Sequence, residues 1–246
     1  MTIEQDCNAY VPGFAYYDDN LLLLRATLEE ILRRTLHLSS IRLLSLGVGH
    51  RILTQGLRNA LVGRLSRHMI VEGSADIIEL FAQEVAPLSQ VELIHAYFED
   101  FDTEARFDVI EMGFVLEHVD DPGVILRRFQ SFLAPGGRMM IAVPNAYSLH
   151  RLIGRRAGLL DDLHALSDAD RALGHRRYFD PSLLDALLDD CGLEVVGRAG
   201  LMLKPFTTSQ LASLGLDERI RTAMIEVGFH LPEICNGLFV EARPCR

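Results

Sequence analysis

Two short stretches combine residue types and spacing in a way that suggests chemistry. Gly47-Val48-Gly49 closes an apolar run, Ile41 to Leu46, and Glu72 closes a second one, His68 to Val71. Glycines where a buried strand turns into a helix let a ligand approach the backbone closely. A carboxylate 23 positions beyond Gly49 stands where a nucleoside-binding fold keeps the acid that accepts hydrogen bonds from ribose hydroxyls. A structural turn is the competing reading for the glycines, and a surface acid at a strand end for Glu72. His118, after Glu117, and His175, in Gly174-His175-Arg176-Arg177-Tyr178-Phe179, are imidazoles whose ordinary pKa, about 6.5, suits proton transfer near neutral pH. Packing roles at a helix entry or in a loop compete with that reading.

Positioning such groups takes a sheet whose strand ends converge. Apolar runs at 41–46, 68–72, 91–94, 107–112 and 139–144 read as strands, and helical spacing fills 52–65, 75–84 and 122–132 between them. Asp121-Pro122 and Asp180-Pro181 each place a capping acid before a proline at the first helical position. Ala134-Pro135-Gly136-Gly137 reads as a stop and turn. Runs at 193–196 and 238–242 complete seven strands. This alternation predicts an α/β fold: a seven-stranded Rossmann-like, mostly parallel sheet with helices on both faces and the last strand antiparallel. One domain is expected over 1–246. An N-terminal arm with Tyr10 and Pro12-Gly13, then a helix from Leu21 capped by Asp19 or Asn20, fills 1–38. The ligand-binding core spans 39–145, and insertions at 146–179 and 204–231 enclose a substrate.

A formal charge of −10 argues against a nucleic-acid partner, which needs a concentrated basic surface. The arginine pairs at 33–34, 127–128, 155–156 and 176–177 read as solvated helix faces. Four scattered cysteines without a Cys-x-x-Cys indicate neither a zinc knuckle nor a disulfide framework. No apolar run reaches the roughly 18 residues of a spanning helix, and the acidic N-terminus lacks a signal pattern. The expectation is a cytoplasmic protein, without membrane or nucleic-acid partners, that acts on a small molecule; a homodimer is compatible with it.

Five pieces in order sharpen this picture: Leu44-Ser45-Leu46-Gly47-Val48-Gly49, Val71-Glu72-Gly73-Ser74, Phe107-Asp108-Val109-Ile110, Val115 to Pro122, and Leu133-Ala134-Pro135-Gly136-Gly137. Together they resemble the class I S-adenosylmethionine-dependent methyltransferases of the small-molecule branch, over about residues 40–200. The resemblance implies S-adenosylmethionine as cofactor. It puts Gly47 and Gly49 against the methionine part and ribose, with Glu72 and Gly73 at the ribose hydroxyls. The Phe98 backbone N–H would meet the adenine edge, with Tyr97 or Glu99 near its amine. Met112 would offer its carbonyl to the cofactor's amino group, and Tyr16 and Tyr17 would close over the cofactor.

Two departures stand out. The family usually has an acid where Ser45 stands, a common partner of the methionine amine, and a third glycine where Arg51 stands. Arg51 could instead reach the cofactor carboxylate. Some ubiquinone-pathway O-methyltransferases carry Glu-x-x-Glu-His and bind a divalent ion; here Phe114 replaces the first glutamate, so no metal is expected. The Gly-His-x-Arg run at 174–177 is similar to methyltransferases of surface-glycan and natural-product pathways. His175 is thus the first candidate base and His118 the second, for O-methylation of a sugar or natural-product intermediate. An NAD-dependent dehydrogenase would need a glycine at Ile52. A non-catalytic cofactor-binding subunit that supports a partner enzyme is the rival from another class.

Overall fold

The structure is a computed structural model that describes residues 16–84 and 91–245, apart from the side chains of Arg51, Gln83 and Glu84. The expected arm around Tyr10 and Pro12-Gly13 lies outside the described residues. Seven strands form one sheet: β1 (Ile41–Leu46), β2 (Leu65–Glu72), β3 (Val91–His95), β4 (Phe107–Gly113), β5 (Leu133–Pro144), β6 (Leu193–Leu201) and β7 (Gly237–Pro244). Their order is β3-β2-β1-β4-β5-β7-β6. The first five are parallel, and β7 runs antiparallel to both β5 and β6. The order reverses between β1 and β4, so their carboxyl ends open a crevice.

The near-continuous apolar runs of β1 and β4 are explained by burial on both faces. On one face Ile110, Met112, Met139 and Ile141 pack with Phe129 of α4 (Pro122–Gln130) and with Leu184 and Leu188 of α7 (Pro181–Asp190). On the other, Leu43, Val109, Met140 and Phe239 meet α1 (Tyr17–Arg34) and α2 (Arg51–Ala60). Between β5 and β6 come α5 (Leu149–Arg156), α6 (Asp168–Ala172) and α7; between β6 and β7 come α8 (Thr208–Ser213) and α9 (Glu218–Gly228). The segment between β2 and β3 adds α3 (Ala75–Glu84). Among the described residues no helix is long and apolar enough to cross a membrane.

Several boundaries differ from the sequence reading for identifiable reasons. β2 begins at Leu65, because that buried residue already pairs with Ile41. The Pro-Gly-Gly signal is a bulge within β5: Phe107 pairs with Leu133 and Val109 with Arg138, while Gly136 takes φ +81°. Helix α1 starts at Tyr17 with no side-chain cap, because Asp19 turns instead to the Lys204 ammonium, 2.5 Å away. Arg34 and Arg177 are not solvated. Arg34 bridges Glu30 and Glu241 over the Phe239 ring, and Arg177 donates to the carbonyls of Leu116, Val119 and Asp120.

Both aspartate caps form. Asp121 Oδ1 accepts from the N–H groups of Gly123 and Val124, and Asp180 Oδ1 from those of Ser182 and Leu183 at 2.8 and 2.9 Å. Asp180 also meets His164 Nε2 at 2.9 Å, tying α7 to the 146–179 segment. Asp180→Ala therefore lowers stability by about 1–2 kcal/mol, read as a reduced midpoint in urea; an unchanged midpoint would show that water replaces the cap.

Candidate active site at the carboxyl ends of the central strands

β1 ends in a loop shaped by Gly47 at φ +79° and Gly49 at φ +58°, a region that side chains with a Cβ rarely enter. Nothing lies within 4 Å of where a Gly49 Cβ would sit, so the backbone faces open space there. Glu72, 7% exposed at the end of β2, accepts from the Val48 N–H through Oε2 at 3.0 Å and from the Ser74 N–H through Oε1 at 2.8 Å. Each oxygen keeps a lone pair for a hydroxyl, so the surface-acid reading fails. His50 caps α2, its Nδ1 accepting from the Ile52 N–H at 3.2 Å, and its ring meets Tyr17 edge-on.

A cavity of about 530 Å³ opens beside this loop. It brings together Tyr16, Gly47, Gly49, His118 and His175 from the expected set, along with Glu111, Glu117, Asp170 and Lys204. The 146–179 and 204–231 segments supply much of its wall, through residues such as Arg151, Leu160, Phe206 and Thr208.

The remaining expected residues, Glu72 included, are not among those that line it. Ser45 is buried, its hydroxyl 3.0 Å from His68 Nε2. The Gly73 carbonyl lies 3.2 Å from His95 Nε2. Tyr97 and Glu99 are exposed at the tip of β3. The Phe98 ring packs edge-on against Phe129, so its side chain serves the core. Met112 is fully buried on β4. The Arg51 side chain lies outside the described residues. A turn with open space at Gly49 and a pre-oriented carboxylate at Glu72 fits an adenosine-bearing ligand.

His118 and His175 pack edge to face with ring centroids 4.8 Å apart. Beside them Glu117 is fully buried, and neither carboxyl oxygen has a hydrogen-bond partner. Burial pushes this carboxyl up to about 7, against the opposing pull of His175 and Arg177. Burial likewise pushes His118 down to about 3, helped by His175. Asp170 Oδ1 lies 3.6 Å from His175 Nδ1 and accepts from the Tyr178 hydroxyl at 3.0 Å. Its Oδ2 accepts from the Ser167 hydroxyl and N–H at 2.6 and 2.8 Å. Burial alone would raise Asp170, but His175 and Ser167 outweigh it and hold the carboxyl well below the usual range. Donor atoms of Glu117, His118 and His175 lie within 4.8 Å of one another, close enough to hold a metal ion. Two imidazoles and one carboxylate form a nitrogen-rich set, suited to zinc or iron more than to magnesium.

Sequence reasoning missed Glu111, Asp170 and Lys204. Lys204 carried a signal, being the only lysine in the chain. Asp170 carried a weaker one, a capping box with Ser167.

A model of a methyltransferase domain family matches residues 17–197. Among curated proteins, the chain is 31% identical over 123 residues to a ubiquinone biosynthesis O-methyltransferase of Pseudoalteromonas translucida, covering 48% of this chain and 49% of that one. It is 28% identical over 172 residues to the protein of the same description from Aeromonas salmonicida, covering 68% of each. The chain spans about half the length of several of the curated relatives it matches. Its fold is similar to that of a Burkholderia thailandensis 1,6-didemethyltoxoflavin-N1-methyltransferase, solved with 1,6-didemethyltoxoflavin and S-adenosylhomocysteine bound. The TM-score is 0.62 at 19% identity, over 99% of this chain and 87% of that one.

Glu117 and Glu111 are both raised from an ordinary 4.5 to about 7. Between those values the folded chain keeps protons that the unfolded chain has lost, so their contribution makes stability fall as pH rises and level off above about 7. Glu117→Gln removes one such group. Relative to the unsubstituted protein it gains on the order of 3 kcal/mol between pH 4 and 8, measured as urea stability across that range. Parallel pH curves for the two proteins would refute this assignment.

Proposed function

The chain belongs to the class I methyltransferase domain family, and we propose that it methylates a hydroxyl of a small acceptor from S-adenosylmethionine, with His175 as general base. The acceptor class is a sugar or a natural-product intermediate. The observation that carries this reading is the Asp170–His175 pair, placed on the wall of a cavity that also reaches the Gly47–Gly49 loop. The O-methyltransferase descriptions of the curated relatives support it. So does a cavity volume within the range usual for small-molecule sites.

The bound cofactor supplies an electrophilic methyl on a sulfonium, so the protein's work is positioning, exclusion of water and proton removal. Glu72 holds the ribose hydroxyls through the lone pairs its N–H contacts leave free. The 146–179 and 204–231 segments cover the cavity and keep water from competing with the acceptor. His175 would take the acceptor's hydroxyl proton as that oxygen receives the methyl group the cofactor would supply, with the sulfonium's charge lost on the cofactor side. Asp170 Oδ1, 3.6 Å from His175 Nδ1, is too far for a hydrogen bond but balances the charge that forms on the ring. Tyr178 and Ser167 keep that carboxylate aimed. His118 is a poor proton acceptor once burial has lowered it to about 3; it supports the His175 ring edge-on.

Turnover is read as S-adenosylhomocysteine formation on a panel of hydroxylated sugars and phenols. His175→Ala lowers kcat by about 10²–10⁴ while leaving the calorimetric affinity for S-adenosylhomocysteine unchanged, and Asp170→Asn has a smaller effect of the same kind. Full turnover by His175→Ala would overturn the assignment of the base. Dialysis against a chelator leaves activity intact; a loss reversed by a divalent ion would reassign Glu117, His118 and His175 to metal binding.

A further inference from the structure

The methionine end of the cofactor carries an ammonium group, and the acid that commonly receives it is missing at Ser45. We infer that Glu111, one strand away, is the carboxylate that binds this ammonium. The inference rests on the S-adenosylmethionine reading and adds to it a residue that the family pattern does not supply.

Register is the first argument. β1 and β4 are parallel neighbours, and Ser45 stands directly opposite Glu111. Residues paired in this way point to the same face of the sheet, with backbones roughly 5 Å apart. An acid at 111 therefore reaches nearly the space that an acid at 45 would fill. Both positions lie two residues before a glycine at the strand tip, Gly47 and Gly113. Glu111 lines the cavity together with Gly47, Val48 and Gly49.

The second argument is an electrostatic need. Glu111 is only 3% exposed, and Oε1 accepts from the Gly113 N–H at 2.6 Å. Its stabilising partners, that N–H and the Ser45 hydroxyl, are neutral, and burial still pushes the carboxyl up to about 7. A buried carboxylate without a cation is costly, and an arriving ammonium supplies one.

Elimination is the third. Of the acids on the cavity wall, Asp19 is held by Lys204 and Thr208, and Asp170 by Ser167 and Tyr178. Glu117 sits with His118 and His175. Among the described acids that line the cavity, Glu111 alone stands on a strand flanking the glycine loop.

The same geometry explains the serine. Acids at both 45 and 111 would be like charges directly opposite each other, which destabilises a sheet. Ser45 instead shares its hydroxyl with His68, which burial pushes down to about 4 and keeps neutral.

Calorimetry with S-adenosylhomocysteine and with 5′-methylthioadenosine, which lacks the amino-acid end, tests the inference. Glu111→Gln is expected to weaken S-adenosylhomocysteine by about 10- to 100-fold and to leave methylthioadenosine within about twofold. Adding Ser45→Asp to Glu111→Ser restores most of what Glu111→Ser loses. Unchanged S-adenosylhomocysteine affinity in Glu111→Gln, or equal loss for both ligands, overturns the inference. Should Glu111→Gln melt below the assay temperature, Glu111→Asp carries the test, since it keeps the charge but withdraws it by one methylene. Selective weakening of S-adenosylhomocysteine then supports the role, and unchanged or equal affinities refute it. Failure of the unsubstituted protein to bind either ligand would instead strike the cofactor reading beneath it.

Discussion

Two backbone N–H groups converge on the Glu72 carboxylate, and the crevice depends on that meeting. One comes from Val48, just past the end of β1, and the other from Ser74, just past the end of β2. A side chain this buried needs its acceptors filled, and here each oxygen is filled once by the loop it organises. The contact fixes the height of the glycine turn above the sheet, and with it the place where His50 caps α2. Register does the rest: Leu46 pairs with Val71 and Gly113 with Ala142, so the tips of the central strands end at a common level. Charge can then be delivered to one rim from several strands.

The cavity wall is closed by a second set of contacts that run between segments far apart in sequence. Asp19, in the first turn of α1, holds Lys204 and Thr208. From its neighbour Tyr16 the phenol lies 3.3 Å from the Ser167 hydroxyl, which in turn holds Asp170 beside His175. The beginning of α1 thus touches both segments that flank the cavity. Arg177 ties the 146–179 segment to carbonyls before α4, and Arg151 donates to the carbonyls of Leu163 and Ala165 while covering the Tyr178 ring at 4.2 Å. These arginines act as cross-braces, with their charge spent on carbonyl oxygens.

The sheet was legible because its evidence is local. Apolar runs, aspartate–proline caps and glycines at strand ends each carry their meaning within a few residues, and the last strand's direction followed from the lack of a regular crossover before it. Boundaries failed where pairing overrode the local signal, as at Leu65 and in the Pro135-Gly136-Gly137 bulge. Of the candidate site, Gly47, Gly49 and Glu72 were expected from type and spacing and His118 and His175 from the family resemblance; all but Glu72 line the cavity. Glu111 and Asp170 were not expected. One is read only from its register opposite Ser45, and the other only from a fold that sets residue 170 against residue 178. Arg34 and Arg177 misled for the same reason: a doublet of arginines looks solvated until the chain brings Glu241 or the Leu116 carbonyl to it.

The placement of ionised and protonated acids around the cavity also bears on rate. A sulfonium loses its positive charge as the methyl leaves, so a full negative charge close to the sulfur would hold the reactant more tightly than the transition state and slow transfer. A negative charge at the distant ammonium has no such cost, because that group keeps its charge throughout. Glu111, on the strand beside the glycine loop, is suited to the second position. Glu117 stands by the proposed base, His175, and its carboxyl, raised to about 7, is partly protonated at neutral pH. Asp170 is ionised, and its Oδ1 lies 3.6 Å from His175 Nδ1, on the ring that would become positive if the proposed base takes the acceptor's proton. Burial raises Glu111 and Glu117 alike to about 7, so it is the arriving ammonium that would ionise Glu111 and set the two acids apart.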